Sequence, residues 1–155
     1  MLKITLPLEI QETIHQALVQ AGSRECGGVL MGEHVGHNHF AVRAVTVQKA
    51  GGFAWFVRSV ANAVQAVRRF LSAKGNDFRR FNYLGEWHSH PSFSVNPSQK
   101  DNDTMRRMAA DPAVGANFLV LVIFRLDPGT LVGSAHTYLP DGRMLPSTLD
   151  WEAPE

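Results

Sequence analysis

In the segment Glu86-Trp87-His88-Ser89-His90-Pro91, two histidines stand two residues apart. At the end of a strand, residues i and i+2 project to the same side, so both imidazoles can reach one metal ion. Asp101 follows after a short loop, in what reads as the first turn of a helix capped by Ser98. A strand end and a helix start can then supply two nitrogens and one carboxylate oxygen. That donor set suits zinc, one ion per chain, and three protein ligands leave a fourth position for water, the mark of a catalytic site. Each half has a plainer explanation when taken alone. His-x-His pairs recur without function, and Ser98-x-x-Asp101 is also the pattern of a helix capping box. Capping does not set Ser98 apart from the site, because a capping serine can still face the metal.

Other chemistry-bearing residues point elsewhere. His37-x-His39, with His34 nearby, is a second histidine cluster, but it falls in a turn with no carboxylate pattern downstream. Solvated turn histidines are the expectation there, and His15 and His136 read as structural or surface residues. Cys26 adjoins Glu25, which disfavours a reactive thiolate, and alternation on a strand points the two to opposite faces. Cys26 therefore reads as a small core residue. Glu86 alternates with His88 and is either a partner that orients an imidazole or a paired surface carboxylate. Phe93 and Val95 are apolar for a loop; they either line a substrate groove or pack beneath the loop. Trp87 is expected in the core.

Two elements must converge to build such a site, and the remaining pattern supplies the frame. Residues 1–6 read as a strand, and Pro7 suits a helix start. Ile10, Ile14 and Leu18 then form an apolar stripe that Gly22 can close. The runs on either side of His34–His39 read as a hairpin. Residues 49–56 look like a connection into a second helix, with Val57, Val60, Val64, Val67 and Leu71 on its dry face and Arg58, Asn62, Gln65 and Arg69 on the wet one. Gly75-Asn76-Asp77 stops it. The apolar run 117–124 reads as a central strand buried on both faces, and residues 131–139 as its partner across the turn at Asp127-Pro128-Gly129. This order predicts an α/β protein, a single-domain mixed β-sheet sandwiched by helices. The domain is expected over residues 1–140, with 141–155 a loosely ordered C-terminal tail.

Bulk properties narrow the class. A formal net charge of +1 with scattered Lys and Arg gives no nucleic-acid footprint. The one basic concentration, from Arg68 to Arg80, reads as a solvated helix end. A single cysteine rules out an intrachain disulfide and a Cys-rich zinc module. No apolar run reaches the length of a membrane span, and Met1–Thr13 lacks the pattern of a signal peptide, so a cytoplasmic protein is expected.

His88-x-His90-Pro91, the loop through Pro97, and Ser98-x-x-Asp101 together resemble the JAMM signature of the JAB/MPN metallopeptidases. HExxH is absent. The resemblance runs from about Glu25 to Tyr138 as an order of elements, and in detail at these motifs. The chain looks like a short bacterial member, lacking the insertions that shape polyubiquitin recognition in eukaryotic enzymes. The resemblance implies a JAB/MPN fold, cytidine-deaminase-like in architecture, with zinc on His88, His90 and Asp101. Glu25, in Glu25-Cys26-Gly27-Gly28, matches the family's upstream glutamate and would be the general base. Ser98 would stabilise the oxyanion. The implied activity is isopeptidase or peptidase cleavage after the C-terminal glycine of a ubiquitin-like protein, releasing a lysine amine or maturing a precursor. Relatives often accompany E1- and E2-like proteins, some in antiphage defence. Other family members trim sulfur-carrier proteins or act on small peptides, and non-catalytic scaffold members typically lose the ligands kept here.

Overall fold

The computed structural model describes residues 1–49 and 52–155, with the side chains of residue 49 and residues 52–62 left outside that description. The elements are β1 (Lys3–Leu6), α1 (Leu8–Ala21), β2 (Cys26–Gly36), β3 (His39–Val45), β4 (Gln48–Lys49), α2 (Gly52–Ala73), β5 (Phe81–Ser89), α3 (Gln99–Ala110), β6 (Leu119–Asp127), β7 (Thr130–Tyr138) and β8 (Met144–Trp151). The strands form one eight-stranded sheet in the order β3-β1-β8-β7-β6-β5-β2-β4, and β3 also pairs with β2, which closes the row into a circuit. Pairs β1–β3, β1–β8 and β5–β6 are parallel, and the rest are antiparallel, so the sheet is mixed as expected.

Helices α1 and α3 take opposite faces. Ile10, Ile14, Ala17 and Leu18 of α1 pack on Trp87, Val120, Val122 and Phe124. Met105 and Ala109 of α3 pack on Leu119, Leu121, Ile123 and Tyr138. Strand β6 thus buries both faces, which is why it reads as an unbroken apolar run; Leu119 through Phe124 are each at most 1% exposed. Burying such a side chain contributes about 1.5–3 kcal/mol. α1 ends where its apolar stripe predicts: Gly22 takes a positive φ of 61° and its N–H closes onto the Leu18 carbonyl.

The C-terminal segment departs from expectation. Residues 141–155 read as a loose tail, yet Met144–Trp151 is strand β8, joining β7 to β1. Pro146 conceals it in the sequence, because proline has no N–H to give a ladder. The structure accommodates it by splitting the strand's work: residues 144–147 pair only with β7, and residues 148–151 only with β1. Pro146 therefore sits where one side of β8 is unpaired. Trp151 packs edge-on against Phe124 at 6.1 Å.

Helix α2 starts at Gly52, earlier than the sequence reading placed it. Ala50 and Gly51 lie outside the described residues, as do the side chains of Val57, Arg58, Val60 and Asn62. Further along, Val67 and Leu71 are half-buried as expected, whereas Val64 is 45% exposed and lines a cavity.

Candidate metal centre

Local packing on β5 decides where the histidines point. Leu84 is an extra residue opposite β2, between the pairs Leu30–Gly85 and Met31–Tyr83. Gly85 makes this bulge feasible: its φ is 149°, and a Cβ there would lie 1.9 Å from the Val120 carbonyl oxygen. Beyond the bulge, Trp87 enters the α1-side core, 1% exposed as predicted, and alternation sends Glu86 and His88 to the α3 face. Gly27 lies opposite His88, where a Cβ would meet the Trp87 carbonyl at 2.6 Å and the His88 Cβ at 3.0 Å. Glycine at 27 therefore leaves room for the His88 side chain. The ladder runs on past β5, with His90 N–H donating to Phe124 O at 2.9 Å.

The carboxylate arrives from α3. Ser98 caps that helix: its Oγ accepts from Asp101 N–H at 3.0 Å, and its own N–H donates to Asp101 Oδ2 at 2.8 Å. This reciprocal box fixes the Asp101 rotamer. Tyr138, fully buried, donates its hydroxyl to Asn102 Oδ1 at 2.6 Å and ties the same turn to β7.

His88, His90 and Asp101 thus converge, each offering one ligand atom within 4.8 Å of the others. His88 Nε2 lies 3.3 Å from Asp101 Oδ1, and His90 Nε2 lies 3.3 Å from Asp101 Oδ2. The tautomer of His90 is set by its other nitrogen. Nδ1 is 2.7 Å from the Ser94 carbonyl, which can only accept, so Nδ1 carries the hydrogen and a neutral His90 presents a bare lone pair at Nε2. His88 Nε2 is buried with no hydrogen-bond partner among the described residues. Burial raises the Asp101 carboxyl, but the His88 imidazole and the Ser98 donors outweigh it and hold the group well below the usual carboxylate range. A nitrogen lone pair facing a carboxylate is repulsive unless a cation lies between them. A tetrahedral ion with bonds of about 2.0–2.1 Å sets its ligand atoms about 3.3–3.4 Å apart, the spacing found for both pairs. The donor set therefore fits zinc.

The other expected residues fall around this group. Glu25 sits one residue before β2 and is exposed. Cys26, its neighbour, is buried against Ser89 Oγ on the α1 side, so alternation gives Glu25 the face of Gly27 and His88. Glu25 stands outside the three-residue group. Cys26 is a core residue, and burial pushes its thiol up, away from reactivity. Glu86 is half-buried and lines a cavity of about 990 Å³ with Tyr83, Met108 and His88. Burial raises its carboxyl, partly opposed by His88, and among the described residues it makes neither a hydrogen bond nor an ion pair. Neither role weighed for it from sequence is realised there.

The histidines of the β2–β3 hairpin diverge. His34 stacks on Phe40, and His39 Nε2 meets Thr5 Oγ1 at 2.7 Å, while His37 stays exposed beside Asn38. Among the described residues they form no metal group. Of the two apolar loop residues, one takes the packing role weighed for it. Val95 packs beneath the loop with the α3-side core, while Phe93 stacks on His90 at 4.2 Å and remains 45% exposed. Sequence reasoning passed over Gly27, Tyr138 and Ser134. Ser134, His136 and Tyr138 share one face of β7, and those polar groups at period two on a buried strand were the available signal.

Comparison with known proteins bears on the family and the fold. The family model described as prokaryotic homologs of the JAB domain matches residues 7–138. A protein of Enterobacter hormaechei subsp. hoffmannii (strain UCI 50) named CD-NTase/cGAS isopeptidase is 29% identical over 137 residues, covering 86% of this chain and 72% of that one. A protein of the same name from Pseudomonas aeruginosa (strain BWHPSA011 / Pa011) is 30% identical over 135 residues, covering 79% and 82%. Among solved structures, a solution structure from Desulfitobacterium hafniense superposes with a TM-score of 0.64 at 25% identity, covering 97% of this chain and 94% of its own. One from Salinibacter ruber has a TM-score of 0.55 at 18% identity, covering 97% and 93%, a likeness of fold. The chain belongs to the family of prokaryotic homologs of the JAB domain.

Proposed function

We propose that this protein is a zinc-dependent isopeptidase that cleaves after the C-terminal glycine of a ubiquitin-like protein or a comparably conjugated protein. The observation that carries the reading is the pair of 3.3 Å approaches between imidazole Nε2 atoms and the Asp101 carboxylate, one of them from a nitrogen whose tautomer is fixed as a lone pair. The isopeptidase name of both curated relatives supports the reaction class, and it brings CD-NTase or cGAS-like proteins among the candidate conjugates. E1- and E2-like conjugating proteins and a role in antiphage defence would then be its setting. A scaffold role is disfavoured, because a scaffold has no use for three converging ligands.

His88, His90 and Asp101 would hold the zinc. Bound zinc supplies Lewis acidity, bringing the pKa of water toward about 7 and polarising the scissile carbonyl. Glu25 would take the proton of the attacking water and pass it to the leaving lysine amine. Ser98 Oγ already accepts from Asp101 N–H, which leaves its own hydrogen free to donate to the tetrahedral oxygen. Such a donor is worth about 3 kcal/mol in the transition state. Phe93, seated on His90, narrows the approach, so a glycine before the scissile bond suits the site better than a bulky residue.

The test is a panel of a CD-NTase and of ubiquitin-like proteins, each joined through its tail to a lysine reporter, with the final residue varied. Cleavage is expected after glycine, with leucine and arginine variants slower by at least tenfold. A strong zinc chelator should stop it and added zinc restore it. Undiminished turnover in chelator would overturn the zinc reading, and equal rates for the three residues would overturn the glycine preference.

A further inference from the structure

Three consecutive carbonyls in the loop between the histidines and Ser98 are each taken by a side chain from a different strand or strand end. Arg125 of β6 donates Nη1 to Phe93 O at 3.2 Å. His90, just past β5, donates Nδ1 to Ser94 O at 2.7 Å. Ser134 of β7 donates Oγ to Val95 O. Because the Ser134 hydrogen is committed to that carbonyl, its oxygen must accept from His136 Nε2, 2.9 Å away, so His136 carries its hydrogen on Nε2. Burial lowers the pKa of His136, which agrees with a neutral ring serving as donor. A loop with the sequence Pro-Ser-Phe-Ser-Val-Asn-Pro has little regular structure to hold it. It stays in place here through these side-chain bonds and the seating of Val95 in the α3-side core.

We infer that Ser134 is a positioning residue for the metal site: by holding Val95, it keeps the adjoining Ser94 carbonyl where it can fix the tautomer and ring orientation of His90. This rests on the assignment of His90 as a ligand. Ser134 lies on β7, two strands from the β5 end that carries His90, and among the described residues its hydroxyl bonds to Val95 O and His136 and to none of the proposed ligands. It acts on His90 only through the loop. Partners that orient a ligating histidine typically matter by about 10–100-fold in metal affinity or activity. Arg125 holds the neighbouring carbonyl from a more exposed position, so its share should be smaller.

Zinc affinity of the full chain, measured by competition with a chromogenic chelator, separates the possibilities. The variants are Ser134→Ala, Ser134→Thr, Arg125→Met and His90→Ala, each with a thermal unfolding curve recorded without metal. Ser134→Ala is expected to weaken zinc about 10–100-fold, with metal-free unfolding close to the parent. Ser134→Thr keeps the hydroxyl and should bind near the parent level. Arg125→Met, which leaves the core alone, should weaken binding by a smaller factor and gives a second reading should Ser134→Ala fold poorly. Parent-like affinity in both Ser134→Ala and Arg125→Met, with zinc lost in His90→Ala, would overturn the clamp and leave the ligand assignment standing. Equal losses in Ser134→Ala and Ser134→Thr would also overturn it, because the hydroxyl would then be irrelevant. Parent-like zinc in His90→Ala would instead remove the ligand assignment on which the clamp rests.

Discussion

His90 shows how much one side chain must satisfy for this site to exist. Its Nδ1 is bonded to Ser94 O, its face is covered by Phe93, and its Nε2 looks at Asp101. The histidine pair, the serine cap and the aspartate were all legible in the sequence, because their relation is local: two residues along a strand, three along a helix start. Glu25 was legible only through its resemblance to the family's upstream glutamate. Its proposed role separates cleanly from metal binding. Glu25→Gln should keep zinc and the fold while lowering turnover by about 10²–10⁴-fold, the usual contribution of a general base. Elemental analysis and a reporter-cleavage assay on the same preparation check both halves. Undiminished cleavage would remove Glu25 from the mechanism.

At the scale of elements, the sequence was most readable where one face or one cap dominates. α1 has its stripe and Gly22, α3 has the Ser98–Asp101 box, and β6 has its continuous apolar run. β8 was illegible because its pairing is divided between the adjoining β7 and the distant β1, and because Pro146 argues locally against a strand. The bulge at Leu84–Gly85 was hidden too, since Gly85 is required by the close approach of Val120 from another strand. The reassigned C-terminus makes a quantitative prediction. Trp151→Ala should cost about 2–4 kcal/mol, below the top of the range for buried Trp→Ala because the side chain is only half-buried. Chemical denaturation measures it. A loose tail would instead give a change within about 0.5 kcal/mol.

At the scale of the whole molecule, the strand circuit brings β5, carrying the histidines, beside β6 and beneath α3, which carries the acid. The cavity of about 990 Å³ opens on the same side, bordered by His88, Glu86 and Val64 of α2, and under the proposed function would give a conjugate's tail room to reach the metal. Neither the cavity nor the clamp formed by β6 and β7 on the 91–97 loop could be read from sequence, since both depend on contacts between segments about 30 or more residues apart. The three proposed ligands likewise meet only in the folded chain. Zinc content is therefore the most direct measurement: elemental analysis of the purified protein and of His88→Ala, His90→Ala and Asp101→Ala, beside a variant in which His34, His37 and His39 are all alanine. Close to one zinc per chain is expected in the parent and in the triple hairpin variant, with most of it lost in each of the three single variants. Zinc retained by the single variants, or lost from the hairpin variant instead, would contradict the assignment.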